Sequence, residues 1–333
     1  MRALRTFVDE VYAPGLHMAF AAAWFLALQG TLVLSEGPGR AWRLDGGVLA
    51  GILTVFLALF FLRVLDEWKD QEYDRVHNPE RPLVRGAVRH RDLTVFLAVT
   101  ATSVLALNMW MSPTLALLVA FDLAWGVCLV GLERISRRVR DGMLLNLLVT
   151  YPVNVALSVY TYALLLERQG ASPTGRGLLI VAAFALAFLN YEVSRKTAWS
   201  HFAEPGERLY SRSLSGRGAI LLAFGCAATA TLLVFLVAGS PAPLAWLVLL
   251  PLTPAVLGLL RFVGERRRRV RLTPHALAFL LLFYVSLGVQ AFAADLVILA
   301  APVSGLSAFR AEVFVPQDAP LYDPSQASSA HPG

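Results

Sequence analysis

Nine apolar runs recur along this chain, at about 17–34, 47–65, 92–110, 113–132, 143–166, 176–193, 218–238, 241–262 and 274–300. Each is near the length of about 20 residues that a helix, rising about 1.5 Å per residue, needs to cross a bilayer. Few folds are open to such a chain. The expected class is all-α: a polytopic membrane helical bundle of about nine transmembrane helices. Composition agrees, since 57% of the residues are hydrophobic, 16% are charged and the mean hydropathy is +0.60. A soluble domain carries about a quarter charged residues. Arg2 and Arg5 precede the first run as they would in a signal peptide. That run is long for the apolar core of a signal, lacks a clear small-x-small cleavage site and heads a series of spans, so it reads as a retained helix.

Charge sets the orientation. With the N-terminus inside, 23 of the 29 Lys and Arg fall on inside segments and 5 outside, with Arg63 within a span. Basic residues concentrate in cytoplasmic loops. The N-terminus and the loops after the even-numbered spans are therefore expected in the cytoplasm, with the C-terminal tail external. The net charge of +6 reflects loops facing anionic lipid and requires no nucleic acid. The preference for arginine over lysine fits a high-GC bacterial genome, so the expected location is the bacterial inner (plasma) membrane. Cys128 and Cys226 fall inside predicted spans without a C-x-x-C pair and read as small apolar fillers. The six His show no i, i+4 spacing, which gives a zinc site little support.

Residues 66–86, DEWKDQEYDRVHNPERPLVRG, follow the second run directly, so their acids sit where a membrane helix meets water. Asp66, Asp70 and Asp74 recur every fourth residue, and Glu67 lies three before Asp70. On a helix this spacing makes the four carboxylates neighbours on one face. They repel one another unless a cation sits among them. Mg²⁺ takes hard oxygen ligands and leaves positions for substrate phosphates. Arg81, Arg85 and Arg89 follow and could clamp an anion. A solvated acidic helix end is the alternative reading.

The other polar positions are fewer. Residues 1–16 are mildly amphipathic, through Phe7, Val8, Val11 and Tyr12, and are expected along the inner surface. Asp122 falls in the middle of the fourth span, where an ionisable residue faces a wet cavity or a neighbouring helix. The loop LERISRRVRDG supplies Arg134, Arg137, Arg138 and Arg140; they are positive-inside charges, or one of them closes over the acidic stretch and meets a diphosphate. Asn146, Tyr151 and Asn154 open the fifth span where a lipid-facing helix would have none. They face a polar cavity or bond between helices. The sixth span ends in LNYEVSRKTAW, a second polar stretch on the inner side, where Glu192 and Lys196 have the i, i+4 order of a helical ion pair. Lys69 and Lys196 are the only lysines, one in each polar stretch, which suggests that a compact ammonium is wanted at each. Gln290 and Asp295 are the polar residues of the last span, and RFVGERRRRVR before it reads as a topology determinant. Residues 1–300 form the expected single domain, and 301–333, rich in Pro, Ser and Ala, an external and largely unstructured tail.

At the acidic stretch the sequence resembles the UbiA superfamily of intramembrane prenyltransferases. Their signature, N-D-x-x-D-x-x-x-D followed by R-P-x-x-x-G, appears here as Asp66-Glu67-x-x-Asp70-x-x-x-Asp74, then Arg81-Pro82 and Gly86. Nine spans, with polar motifs closing the second and the sixth, match that layout over nearly the whole chain. The resemblance implies a helical bundle open sideways to lipid, in which Mg²⁺ bridges the acidic motifs and a prenyl diphosphate. It implies Glu67, Asp70 and Asp74 as metal ligands, Asp66 in place of the usual Asn, and Arg81 and Arg134 as diphosphate contacts, although Glu133 replaces the usual Lys before Arg134. It further implies Asn146 and Asn154 as cavity residues. The second motif departs from the pattern. Where another acidic pair is expected the chain reads Glu192-Val-Ser-Arg195-Lys196, with Glu204 and Glu207 some way on. Arg195 and Lys196 are expected to neutralise the diphosphate directly, replacing part of a second metal's charge.

The function that follows is Mg²⁺-dependent transfer of a prenyl group from a prenyl diphosphate to an aromatic or other lipophilic acceptor in the membrane. Asp66, Glu67, Asp70, Asp74 and Lys196 would carry catalysis. Arg81, Arg134, Asn146, Tyr151, Asn154, Glu192 and Arg195 would bind substrate, and the ring of Tyr151 or Tyr191 could face the carbocation. The competing readings are a membrane terpene cyclase on the same scaffold, an ion-coupled transporter using Asp122 and Asp295, and a non-catalytic lipid-binding protein.

Overall fold

A computed structural model describes residues 2–36, 42, 44–203, 207–239 and 244–293. The tail 301–333, Asp295 and Glu204 lie outside the described residues. Among the described residues nine helices are long and apolar enough to span a membrane: α1 Pro14–Ser35, α2 Gly46–Lys69, α3 His90–Met111, α4 Pro113–Ile135, α5 Met143–Gln169, α6 Gly175–Arg195, α7 Ser211–Val237, α8 Leu244–Gly264 and α9 Thr273–Ala293. The polypeptide is the expected all-α bundle.

Local chemistry sets the helix ends. Asp45 caps α2 by accepting from the amides of Gly47 and Val48 at 3.0 and 3.2 Å. Ser112 caps α4 ahead of Pro113, and Thr174 caps α6 through the Gly177 amide at 3.0 Å; each satisfies an amide that the first helical turn leaves unpaired. Gly170, at φ 58°, closes α5 in the left-handed region that a residue without Cβ enters freely. Pro152 interrupts α5 after Tyr151, because proline has no amide to continue the ladder.

Consecutive spans pack side by side, and α1 contacts α2, α5, α6 and α9. The apolar stretches of α1 and α2 are 61% buried and that of α6 is 56%, against 22% for α3 and α5. The first group therefore forms the centre and the second the lipid-facing wall. Leu117, Phe121, Leu148, Leu221 and Leu236 are exposed on the outside, where the solvent is acyl chain. Several polar groups inside are paired across helices, which spares them the cost of facing an apolar surrounding alone. Tyr160 donates to Asn108 Oδ1 at 2.8 Å, and Asn108 Nδ2 donates to Thr54 Oγ1 at 2.9 Å, tying α5, α3 and α2. Asn190 donates to the Ala223 carbonyl at 2.9 Å and joins α6 to α7.

Two expectations change. The N-terminal segment does not merely follow a surface: Phe7 and Tyr12 are buried among Phe56, Phe60 and Phe96, and the Tyr12 hydroxyl donates to the Phe56 carbonyl at 2.7 Å. Asp122 is 2% exposed, yet neither of its carboxyl oxygens has a hydrogen-bond partner. It neither lines the cavity described below nor bonds to a neighbouring helix.

Candidate functional site

The ends of α2, α4 and α6 and the broken start of α5 surround a cavity of about 320 Å³. Asp66 and Lys69 reach it from the last turn of α2, with Arg63 one turn earlier. Asn146, Tyr151 and Asn154 line it from either side of the Pro152 break. Glu192, Arg195 and Lys196 close it from the end of α6. Seven of the residues expected at the site, Asp66, Asn146, Tyr151, Asn154, Glu192, Arg195 and Lys196, thus meet at one place from three helices.

The four acids of the first motif do not lie on one continuous helix. α2 ends at Lys69, and Asp70, at φ −89° and ψ 7°, joins it to a separate short helix, Gln71–His77. Asp66 faces the cavity, 3.5 Å from Lys69 Nζ. Glu67 turns away from it and is 3% exposed. Its Oε1 accepts from Arg63 at 2.5 Å and from Arg81 at 3.0 Å. Asp74, 6% exposed, accepts from Asn78 Nδ2 at 2.6 Å. Burial pushes the Asp70 carboxyl above its ordinary range; Lys69 partly offsets this, and Asp66 adds to it.

As placed, Glu67, Asp70 and Asp74 are not a metal donor set. Among the described residues no three His, Cys, Asp or Glu side chains are positioned to hold one ion. The physical reason is local. A guanidinium four residues before Glu67 and another fourteen after it already neutralise that carboxylate.

The expected arginine clamp is also redistributed. Arg81 is engaged by Glu67, Arg85 by Glu10 at 2.5 and 2.7 Å, and the Arg89 amide by Asp92. Arg134 is exposed and does not line the cavity. Its neighbour Glu133 matters more: it is buried, accepts from Asn146 Nδ2 at 2.8 Å and lies 3.5 Å from Lys69 Nζ. Glu133 thereby fixes two cavity residues. Arg63, His17 and Glu133 were not among the expected site residues, whereas Lys69 stood out as one of only two lysines. The available signal was an arginine inside an apolar span, four residues before Glu67, where only a local partner makes a charge tolerable.

At the second motif Glu192 accepts from Arg195 at 2.5 Å and pairs with Lys196 at 2.9 Å. Lys196 Nζ also lies 6.0 Å from the ring centroid of Tyr210, whose hydroxyl is pushed up by burial. Glu207 faces elsewhere and pairs with Arg269. Tyr151 donates to the Ala185 carbonyl, which holds its ring at the cavity wall, whereas Tyr191 packs on Phe188 at 5.9 Å.

Tyr151 and Leu147 also line a second space, an apolar groove of about 590 Å³ between α4, α5 and α6. Phe121, Leu144 and Leu148 on its wall are exposed, so the groove opens to lipid. A charged head could occupy the cavity while an apolar chain leaves through the groove.

No protein-family model matches the sequence, and no curated protein matches it either. Solved structures do. A structure described as a digeranylgeranylglyceryl phosphate synthase in membranes superposes with a TM-score of 0.60 at 13% identity, over 88% of this chain and 100% of that one. The apo structure of a UbiA homolog from Aeropyrum pernix K1 gives 0.59 at 19% identity, over 83% of this chain and 98% of that one. The chain therefore shares the helical fold of these two structures.

Proposed function

We propose that this protein binds a prenyl diphosphate with its head in the polar cavity and its chain in the adjoining groove, and transfers the prenyl group to a lipophilic or aromatic acceptor within the membrane. The observation that carries this reading is the junction at Tyr151 and Leu147, where a cation-lined cavity meets an apolar groove open to lipid. The fold supports it, since both neighbours are helical membrane proteins and one is described as a synthase of a prenylated glyceryl phosphate.

In the proposed reaction the allylic C–O bond breaks and its electron pair leaves with the diphosphate. N–H donors of the cations that line the cavity stabilise that charge as it develops. Leu147, Val155 and Leu189 of the groove, with the Tyr151 ring, keep water from the carbocation. An acceptor carbon or hydroxyl oxygen then bonds to the allylic carbon and releases its proton to the diphosphate or to solvent. The carboxylates as placed do not fit a metal, and no step is assigned to one. The open groove favours an extended chain over one folded on itself, which supports transfer over internal cyclisation. The basic loops support a cytoplasmic position for this end of the bundle, in a bacterial inner membrane.

The test is diphosphate release by the purified protein supplied with geranyl, farnesyl, geranylgeranyl and longer prenyl diphosphates, together with lipid extract as acceptor source. Release accompanied by a prenylated lipophilic product is expected. Release accompanied only by prenyl hydrocarbons would identify a cyclase, and failure to bind any prenyl diphosphate would overturn the reading.

A further inference from the structure

We infer that the diphosphate head is held by the cationic side chains Arg63, Lys69, Arg195 and Lys196, without a bridging divalent metal. The inference rests on the proposed prenyl diphosphate site and concerns how its charge is met. Four cations line the cavity against two carboxylates, Asp66 and Glu192. Both carboxylates are already satisfied: Asp66 by Lys69 at 3.5 Å, and Glu192 by Arg195 and Lys196 at 2.5 and 2.9 Å. Arg63 is also held by Glu67 and Lys69 by Glu133, so the four cations are matched by carboxylates before a ligand arrives, and what they offer it is their remaining donors. Each guanidinium and ammonium also retains N–H donors beyond those its carboxylate uses. Those donors are free to make the short charge-assisted bonds that phosphate oxygens accept.

Among the described residues the acids of the first motif form no group of three positioned to hold one ion. Glu67 Oε1 already accepts from Arg63 and Arg81, and Asp74 Oδ1 from Asn78. Lys196 stands four residues after Glu192, about one helical turn on, the spacing at which two side chains are neighbours. An ammonium there repels a divalent ion and attracts the same phosphate oxygen that the ion would have bridged. Lys69 does the equivalent at the end of α2, where Glu133 and Asn146 hold the region in place. The arrangement uses fixed cations at both helix ends that would otherwise present carboxylates.

The experiment is equilibrium binding of farnesyl thiolodiphosphate, which does not ionise, to the full chain in nanodiscs. It is run in EDTA and again in millimolar Mg²⁺. The wild-type affinity is expected to agree within about threefold between the two conditions, and Lys196→Ala to weaken both by about tenfold or more, the loss of one charge-assisted contact. Lys196→Asp, which restores a carboxylate pair with Glu192, is expected to bind poorly in EDTA and to regain about tenfold on adding Mg²⁺. Wild-type binding that is absent in EDTA and restored by Mg²⁺ would overturn the inference while leaving prenyl diphosphate as the substrate. Absence of binding in both conditions would overturn the substrate itself.

Discussion

Glu67 shows how much one residue's neighbours decide its chemistry. In isolation it is a carboxylate in an acidic motif, and in the folded chain it is the buried centre of an Arg63–Glu67–Arg81 triad. Removing one arginine leaves the other as partner, whereas removing both leaves a 3% exposed carboxylate uncompensated. Breaking a buried pair in this way costs about 3–5 kcal/mol. The double variant Arg63→Ala/Arg81→Ala should therefore lose more thermal stability in detergent than the two single variants combined, and adding Glu67→Gln should restore part of it. Additive losses would mean that the triad is not coupled. Lys196 behaves differently because it is about a third exposed and faces the cavity. Lys196→Ala should lower diphosphate release by about 10²–10³-fold, the scale of losing one donor to developing negative charge. Its yield of monodisperse protein should fall far less, and equal losses in both would assign Lys196 a structural role.

At the scale of elements, span length was legible because nothing but a membrane helix uses so many continuous apolar residues, and each of the nine expected runs overlaps a helix among the described residues. Their ends were less legible. α7 starts at Ser211, seven residues before the apolar run, and takes in a break at Ser215 (φ 62°) that hydropathy does not register. The site divides along the same line. Asn146, Tyr151 and Asn154 were legible as polar residues where lipid would admit none. The fate of Glu67 was not, because it depends on Arg81 across a turn and on an arginine hidden in the apolar run. Element packing also makes testable demands. A Cβ on Gly51 would lie 2.5 Å from Phe25 and 2.6 Å from Leu164. Gly51→Ala should therefore force α1, α2 and α5 apart and cost about 1–3 kcal/mol, read as a lower melting temperature. In the groove, Ala156→Trp would fill space about a turn beyond Tyr151. Preference should shift towards shorter prenyl diphosphates while turnover with the shortest is kept; an unchanged preference would place the chain elsewhere.

For the whole molecule, the functional reading requires that the cavity open to the side that supplies soluble diphosphates. The bundle itself enforces part of this: with consecutive antiparallel spans, the ends of α2, α4 and α6 must lie at one face, and they do meet around one cavity. Which face that is depends on charge. The α4–α5 loop carries Arg134, Arg137, Arg138 and Arg140, whereas the α5–α6 connection, around Ser172, lies between Arg168 and Arg176 alone. Insertion retains the basic loops on the cytoplasmic side. Single cysteines at Arg138 and Ser172, in a background with Cys128 and Cys226 replaced by alanine, should therefore differ in intact cells. The residue 172 thiol should react with a membrane-impermeant maleimide, and the residue 138 thiol only after lysis. The reverse pattern would put the cavity outside, away from cytoplasmic prenyl diphosphates. A bundle so oriented would have to draw its anionic ligand from the external leaflet, and the proposed transfer would fail for want of substrate even with every side chain in place.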